Sequence, residues 1–380
     1  MIENLNPCSL FSLFLIVIKL GKGKRIDDIT TEKPTEDDLY HFKEAYGPLE
    51  NFCPTHPLNT ESYKKKLQNL NDVTCFTFYT DQIRQMMFSG YGDGLICVWD
   101  VNSLQPSEDS IPSLPLLGHT NKITHLEAVE ELTKLFSCSN DCTLRQWSMD
   151  NLGVCERIFK FQDPTNVCKY HPEKQMIFVG CWDRMVRAIE YQSGTVDRAF
   201  LAANSAIKSM HIHENWLFTG SCESQIRAYD LDTGNCKEYE GHESWVNCMA
   251  TYHVYDAEGN IKQTWLLSGS DDASIRIWDM NSCKRLEKLQ EHKNGVMCLA
   301  LTARNAPNDS LYSGGQDHFT IFWDMKVIEQ RIHEMVKMEQ EELLSRKAEA
   351  YYGYLEARFG RKKGKKGKGK GGKGKKGKKK

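Results

Sequence analysis

Leu266-Leu267-Ser268-Gly269-Ser270-Asp271-Asp272-Ala273-Ser274-Ile275-Arg276-Ile277-Trp278-Asp279 is one of six versions of a single fourteen-residue pattern in this chain. The others are MFSGYGDGLICVWD (87–100), LFSCSNDCTLRQWS (135–148), IFVGCWDRMVRAIE (177–190), LFTGSCESQIRAYD (217–230) and LYSGGQDHFTIFWD (311–324). Their penultimate residues are Trp99, Trp147, Ile189, Tyr229, Trp278 and Trp323, spaced by 48, 42, 40, 49 and 45 residues. A recurring period of that length marks a repeat architecture. Each copy reads as two strands around a tight turn, with a third strand ahead of them. Val73, Cys75, Phe76 and Phe78 form such an apolar-rich strand before the first copy. One linking strand then completes four per period, the content of a propeller blade.

Six units follow, at about 71–117, 118–160, 161–201, 202–240, 241–290 and 291–325. After Trp323-Asp324 the pattern turns helical, so the last unit lacks a fourth strand. Tyr63–Leu70, just ahead of the first unit, is placed to supply it and so remove two open sheet edges. Six blades is therefore the predicted number; a degenerate seventh within 1–62 is the alternative.

From about Ser62 to Met325 the repeats resemble those of the WD40 family, and the resemblance implies an all-β, WD40 β-propeller. In that family a His near the start of a blade, a Ser or Thr on the second strand, an Asp in the next turn and a Trp on the third strand form a hydrogen-bonded chain. Three units carry the whole set: His119, Ser137, Asp141 and Trp147; His242, Ser268, Asp272 and Trp278; His292, Ser313, Asp317 and Trp323. The first unit has Ser89, Asp93 and Trp99 without a matching Gly-His. In the third only Asp183 remains, beside Val179 and Ile189, and the fourth substitutes Thr219, Glu223 and Tyr229. Ser, His and Asp together invite a catalytic reading, but a hydrolase needs one exposed nucleophile and an oxyanion site. A trio repeated three times with a Trp partner reads as structural wiring. No Gly-rich phosphate loop, HExxH helix or Cys/His metal array occurs, so no catalytic, cofactor-binding or metal-binding residues are expected.

The same resemblance places the residue before each turn Asp on a partner-binding face: Gly92, Asn140, Trp182, Cys222, Asp271 and Gln316. Residues following the opening Gly-His, among them Lys122, Trp245 and Asn294, join that face. The candidate protein-binding rim is thus Lys122, Asn140, Trp182, Trp245, Asp271 and Gln316, with the two Trp as anchors because Trp buries much area with few rotors. None of the six pre-Asp positions is Arg or Lys, which argues against an Arg-lined pocket for phosphorylated segments. Arg145, Arg187, Arg227 and Arg276 recur on the third strand and read as structural.

Outside the repeats, composition divides the chain. Arg361–Lys380 holds one Arg, 12 Lys and seven Gly, which leaves residues 1–360 with 36 Lys+Arg against 51 Asp+Glu, a net charge of −15. An acidic body carries a basic tail that cannot build a core and is expected to stay disordered. The 14 cysteines are scattered without a CxxC pair and read as free thiols in a reducing compartment. Residues 1–61 read as an irregular extension. Its apolar run Ser9–Ile18 is too short to span a bilayer and lacks a basic n-region and a cleavage site. Thr35 and the acidic Asp37 and Asp38 suit a short helix over Thr35–Tyr46, and Cys53 with His56 falls short of a zinc ligand set. Residues 326–359 read as one helix with a thin stripe of Ile328, Ile332, Met335, Val336 and Leu343.

These features predict a non-enzymatic scaffold or adaptor that assembles protein partners, cytoplasmic and also nuclear, without stable membrane insertion. One alternative is an RNA- or ribosome-associated factor that binds polyanions through Arg361–Lys380, an attraction that falls steeply with salt. With no aromatic residue among the lysines, base stacking is absent. Another alternative is a substrate receptor of a ubiquitin ligase, although no recruiting module is evident. A solvated tail with no dedicated partner is the plain reading of the lysine run.

Overall fold

A computed structural model describes residues 73–81, 83–101, 114–256, 258–302 and 310–359. Six antiparallel meander sheets follow one another along the chain. Five have four strands, over residues 73–116, 123–160, 165–201, 207–239 and 246–289; the sixth has three, over 296–324. The first strand of each sheet packs against the first strand of the next, from the first sheet to the sixth. The fold is a six-bladed β-propeller, as the period predicts. Tyr63–Leu70, the segment expected to complete the sixth sheet, lies outside the described residues. So do the expected helix at Thr35–Tyr46, the apolar run Ser9–Ile18 and the basic tail. A 35-residue helix, Met325–Phe359, follows the last strand.

The three complete units show how the repeated residues build a blade. In the second sheet the Trp147 indole N–H donates to Ser137 Oγ at 2.8 Å, and Ser137 Oγ lies 2.7 Å from His119 Nε2. His119 Nδ1 lies 2.7 Å from Asp141 Oδ2. The carboxylate only accepts, so Nδ1 carries the proton and Nε2 accepts from the serine. The fifth sheet repeats the relay through Trp278, Ser268, His242 and Asp272 at 2.8, 2.7 and 2.8 Å. In the sixth, Trp323, Ser313, His292 and Asp317 do so at 2.8, 2.8 and 3.0 Å. Each Asp also ties down its turn: Asp141 Oδ1 accepts from the Thr143 hydroxyl at 2.6 Å and Asp272 Oδ1 from Ser274 at 2.6 Å. Phe319 occupies that place in the sixth sheet and gives only its backbone N–H to Asp317, at 3.1 Å.

The incomplete units solve the same problem differently. In the first sheet Trp99 donates to Ser89 Oγ at 2.7 Å, and Ser89 Oγ donates to the Tyr91 hydroxyl at 3.2 Å. A phenol two residues along the same strand thus takes the imidazole's part. In the third sheet Val179 and Ile189 are fully buried among apolar neighbours, so no relay is needed. In the fourth, Thr219 donates to the Arg227 carbonyl at 3.3 Å and the Tyr229 hydroxyl to the Ala202 carbonyl at 2.9 Å.

Side chains also stitch each blade to the next. A β-bulge falls at the second residue of the innermost strand in all six sheets, at Thr74, Thr124, Asn166, Lys208, Asn247 and Met297. Bulges re-aim a side chain, and here they aim it across the seam. Thr74 Oγ1 donates to the Ile123 carbonyl. Thr124 Oγ1 donates to Thr165 O at 2.7 Å, Asn166 Nδ2 to Ile207 O at 2.6 Å and Asn247 Nδ2 to Val296 O at 3.0 Å. At the fourth sheet the neighbouring Ser209 makes the bond, to Val246 O at 2.8 Å, which leaves the Lys208 ammonium for other use. Every acceptor is the first residue of the next innermost strand. The glycine of the Ser-Gly motif serves the same seam: a Cβ on Gly269 would stand 2.7 Å from Val296 Cγ1.

Gly241, ahead of the relay histidine, has a second reason. Its φ is +151°, and a Cβ there would meet Arg276 Nη1 at 2.4 Å. The third-strand guanidinium therefore fills the space above the glycine, in keeping with the structural reading of the recurring arginines. Arg276 is 2% exposed and sits 3.7 Å from Asp272.

The relays rank the blades. Ser268→Ala orphans a buried indole N–H and a buried imidazole nitrogen, at about 1–3 kcal/mol per group. Thr219→Ala removes one long bond to a carbonyl and should cost less than about 1.5 kcal/mol. Urea unfolding of the two variants checks this; equal losses would remove the relay from its place in holding the fold.

Candidate functional site

The residues expected on one face are brought together by a repeated backbone bond. The residue before the turn Asp donates its N–H to the carbonyl of the residue that precedes the innermost strand. The pairs are Asn140 to Lys122 at 2.9 Å, Trp182 to Pro164 at 3.0 Å and Cys222 to Ala206 at 2.9 Å. Asp271 to Trp245 at 2.9 Å and Gln316 to Gly295 at 2.8 Å complete the set. Both expected groups therefore share one end of the propeller, where the innermost strands begin.

On that rim Trp182 is 52% and Trp245 44% exposed. Neither ring floats free. Trp182 Nε1 donates to Asn166 Oδ1 at 2.7 Å, and the same Asn166 bonds across the seam to Ile207. Lys208 Nζ lies 5.9 Å from the centre of the Trp245 ring, at cation–π range. Asp271 accepts from Asn247 Nδ2 at 2.5 Å, and Asn247 reaches Val296 of the sixth sheet. Gln316 Nε2 lies 3.3 Å from Met297 Sδ. Two half-buried indoles thus stand fixed by seam-spanning groups. Sequence reasoning missed Asn166, Lys208, Asn247 and Met297. Their common signal is position: each is the second residue of an innermost strand, five residues after the relay-histidine position.

A second polar feature runs round the inner strands. The equivalent positions Thr77, Glu127, Lys169, His211, Ala250 and Ala300 pair with Phe88, Phe136, Phe178, Phe218, Leu267 and Tyr312 on their second strands. Ionisable side chains fall on three consecutive blades and Thr or Ala on the rest. Lys169 Nζ is 2.5 Å from Glu127 Oε2, with His125 Nε2 at 3.5 Å from the same oxygen. Burial pushes the Glu127 carboxyl up, but the Lys169 ammonium and His125 outweigh it and hold the group at about 2. His211 donates to or accepts from Thr251 Oγ1 at 3.2 Å. Burial, with Lys169 and His213 adding to it, lowers its imidazole to about 4.

The Ser–His–Asp trios have no exposed nucleophile. Ser137, Ser268 and Ser313 are each 0% exposed, and each hydroxyl is engaged by an indole and an imidazole. Among the described residues no group of three His, Cys, Asp or Glu side chains is arranged to hold a metal ion. No described helix is long and apolar enough to cross a membrane.

The WD domain, G-beta repeat family matches residues 111–148, 234–279 and 283–324, the segments that close on Trp147-Ser148, Trp278-Asp279 and Trp323-Asp324. The chain carries WD40 repeats. Its WD40 segments resemble human striatin, 25% identical over 219 residues, covering 42% of this chain and 28% of striatin. They also resemble the mouse target of rapamycin complex subunit LST8, 24% identical over 144 residues, covering 38% of this chain and 43% of that protein. The chain therefore spans less than half the length of either relative. The WD40 β-propeller domain of Doa1 superposes with a TM-score of 0.53 at 17% identity, over 65% of this chain and 78% of that one. The likeness shows the fold.

The WD40 relays make stability depend on pH. Burial lowers His119 and His242 below the ordinary 6.5, against the pull of Asp141 and Asp272. His125 and His213 are lowered by burial as well. The folded chain thus binds these protons more weakly than the unfolded one, so stability held at neutral pH is lost as pH falls below 6.5 toward the depressed folded values. Asp141 and Asp317 extend the loss below 3.8, because hydrogen bonds outweigh the burial that would raise them. A melting temperature that is flat above about pH 7 and falls steadily toward about pH 5 is expected. A rise on acidification would contradict the neutral-imidazole relay.

Proposed function

We propose that this chain is a non-enzymatic WD40 scaffold that holds a protein partner on the rim carrying Trp182 and Trp245. The observation that supports it is the pair of indoles, half exposed yet fixed by Asn166 and Lys208. A rigid aromatic presented to solvent loses little conformational entropy on binding, which is why such residues anchor interfaces. Lys122, Asn140, Asp271 and Gln316 surround them with polar groups suited to an interface edge. Likeness to a protein named as a complex subunit, LST8, agrees with an assembly role. A scaffold fold does not name its partner, which has to come from the site.

Trp182→Ala and Trp245→Ala should each weaken partner binding by about 2 kcal/mol or more, the scale of an interface anchor. Their melting temperatures should stay near wild type. Ile83→Ala is the control, because Ile83 is 88% exposed in the turn that leaves an innermost strand, away from the rim. Affinity purification of the full chain and these variants, quantified by mass spectrometry, reads the result. Partners recovered equally from wild type and both Trp variants would rule the rim out.

A further inference from the structure

The helix Met325–Phe359 presents an unusual surface. Met335, Val336, Leu343, Leu344, Tyr351 and Tyr352 are between 36% and 67% exposed. Large apolar side chains exposed together along one helix mark an interaction surface. Val336, Leu343 and Ala350 recur every seven residues, so they form one stripe along the helix. Charged residues border it in a particular order, with Glu339 before Leu343, and Arg346 and Lys347 after it.

That order is self-complementary in one direction only. Lay a second copy alongside, head to tail, with the twofold axis crossing at Leu343. Val336, seven residues before the axis, then faces Ala350, seven after it, a large side chain against a small one. Leu343 meets Leu343. Glu339, four residues before the axis, comes opposite Lys347, four after it, while Arg346 is held by Glu342 of its own helix at 2.6 Å. In a parallel, in-register pair every residue meets itself, so Glu339 faces Glu339 and Arg346 faces Arg346, which repels.

The lysine run gives an independent argument. Arg361–Lys380 carries 13 positive charges directly after the helix. A parallel pair would start two such tails about 10 Å apart, the ordinary separation of packed helix axes. The helix end lies sixteen residues beyond Leu343, or about 24 Å at 1.5 Å per residue. An antiparallel pair therefore separates the two tails by about 48 Å, well beyond the screening length of about 8 Å in physiological salt.

We propose that two copies of this chain associate through this helix, antiparallel, with Leu343 on the twofold axis and Glu339 facing Lys347 of the second copy. The contact is a single crossing of about four turns, short of an extended coiled coil.

Sedimentation velocity of the full chain at increasing concentration should show a monomer passing to a dimer in physiological salt. Leu343→Asp should abolish the dimer peak without changing the circular dichroism spectrum, since Leu343 is 52% exposed. Glu339→Arg and Lys347→Glu should each weaken association at least tenfold, and the two together should restore it. Direction is read by cysteine cross-linking in a Cys236→Ser background, which removes an exposed thiol. Leu343→Cys should form a disulfide-linked dimer on oxidation. Val336→Cys alone should not, but should do so when mixed with Ala350→Cys. A monomer at every concentration overturns the proposal, as does self-linkage of Val336→Cys or a double charge variant that stays as weak as its parents.

Discussion

An indole N–H buried between two β-sheets has to find an acceptor, and the rest of this molecule is arranged around that requirement. Trp147 and Trp278 are 1% and 0% exposed. Neither can turn to water, so each needs a hydroxyl on the second strand. That hydroxyl must donate its own hydrogen bond to an imidazole nitrogen, and the imidazole N–H must donate to a carboxylate. The carboxylate then gathers the turn's backbone and hydroxyl donors. One buried donor thereby fixes two strands, the turn between them and the loop ahead of the innermost strand. Leaving the chain incomplete at any link would cost about as much as a strong point mutation.

The blades that abandon the relay do so coherently. Where Val179 and Ile189 replace Ser and Trp, Phe161 stands at the histidine position and the neighbourhood is apolar throughout. Asp183, left without a histidine, is paired with Arg187. In the fourth blade Thr219, Ala203 and Tyr229 replace the set, and the phenol reaches a backbone carbonyl. The seams are less variable. Five innermost strands pass a side-chain hydrogen bond to the next, and the only shift, from Lys208 to Ser209, releases the ammonium that steadies Trp245. The candidate rim is thus a by-product of how the blades are joined.

The architecture was legible in the sequence because a buried period-two pattern, repeated six times, admits few folds. The fourteen-residue copies locate the second and third strands within a residue or two, except that the second strand of the fifth sheet starts five residues earlier, at Ile261. The three complete relays were legible because their residue types are rare together at fixed spacing. Tyr91 was not, since a phenol two residues along the same strand has no counterpart in the repeat. The seam bonds also escaped. Thr and Asn at a strand's second position, and Ser209 beside the bulged Lys208, look like ordinary strand residues until the bulge is seen. The row Glu127, Lys169 and His211 escaped for another reason: its members lie 42 residues apart, and only superposing the registers shows them as neighbours. The rim was legible as positions, but what anchors its indoles was not, because Asn166 and Lys208 act across blade boundaries.

Placement of the tryptophans also gives the molecule its own reporters. All eight lie within the blades, in five kinds of surroundings. Trp147 and Trp278 sit in dry relays, Trp99 and Trp323 in partly exposed ones, Trp182 and Trp245 at the rim, and Trp216 stacks with Lys237 at 4.3 Å while Trp265 lies in the core. Side-chain indole protons in the first group exchange with solvent only when a blade opens, whereas those at the rim sample solvent in the native state. An indole spectrum of the intact chain therefore separates events inside the second and fifth blades from events on the face they support, without any label being added.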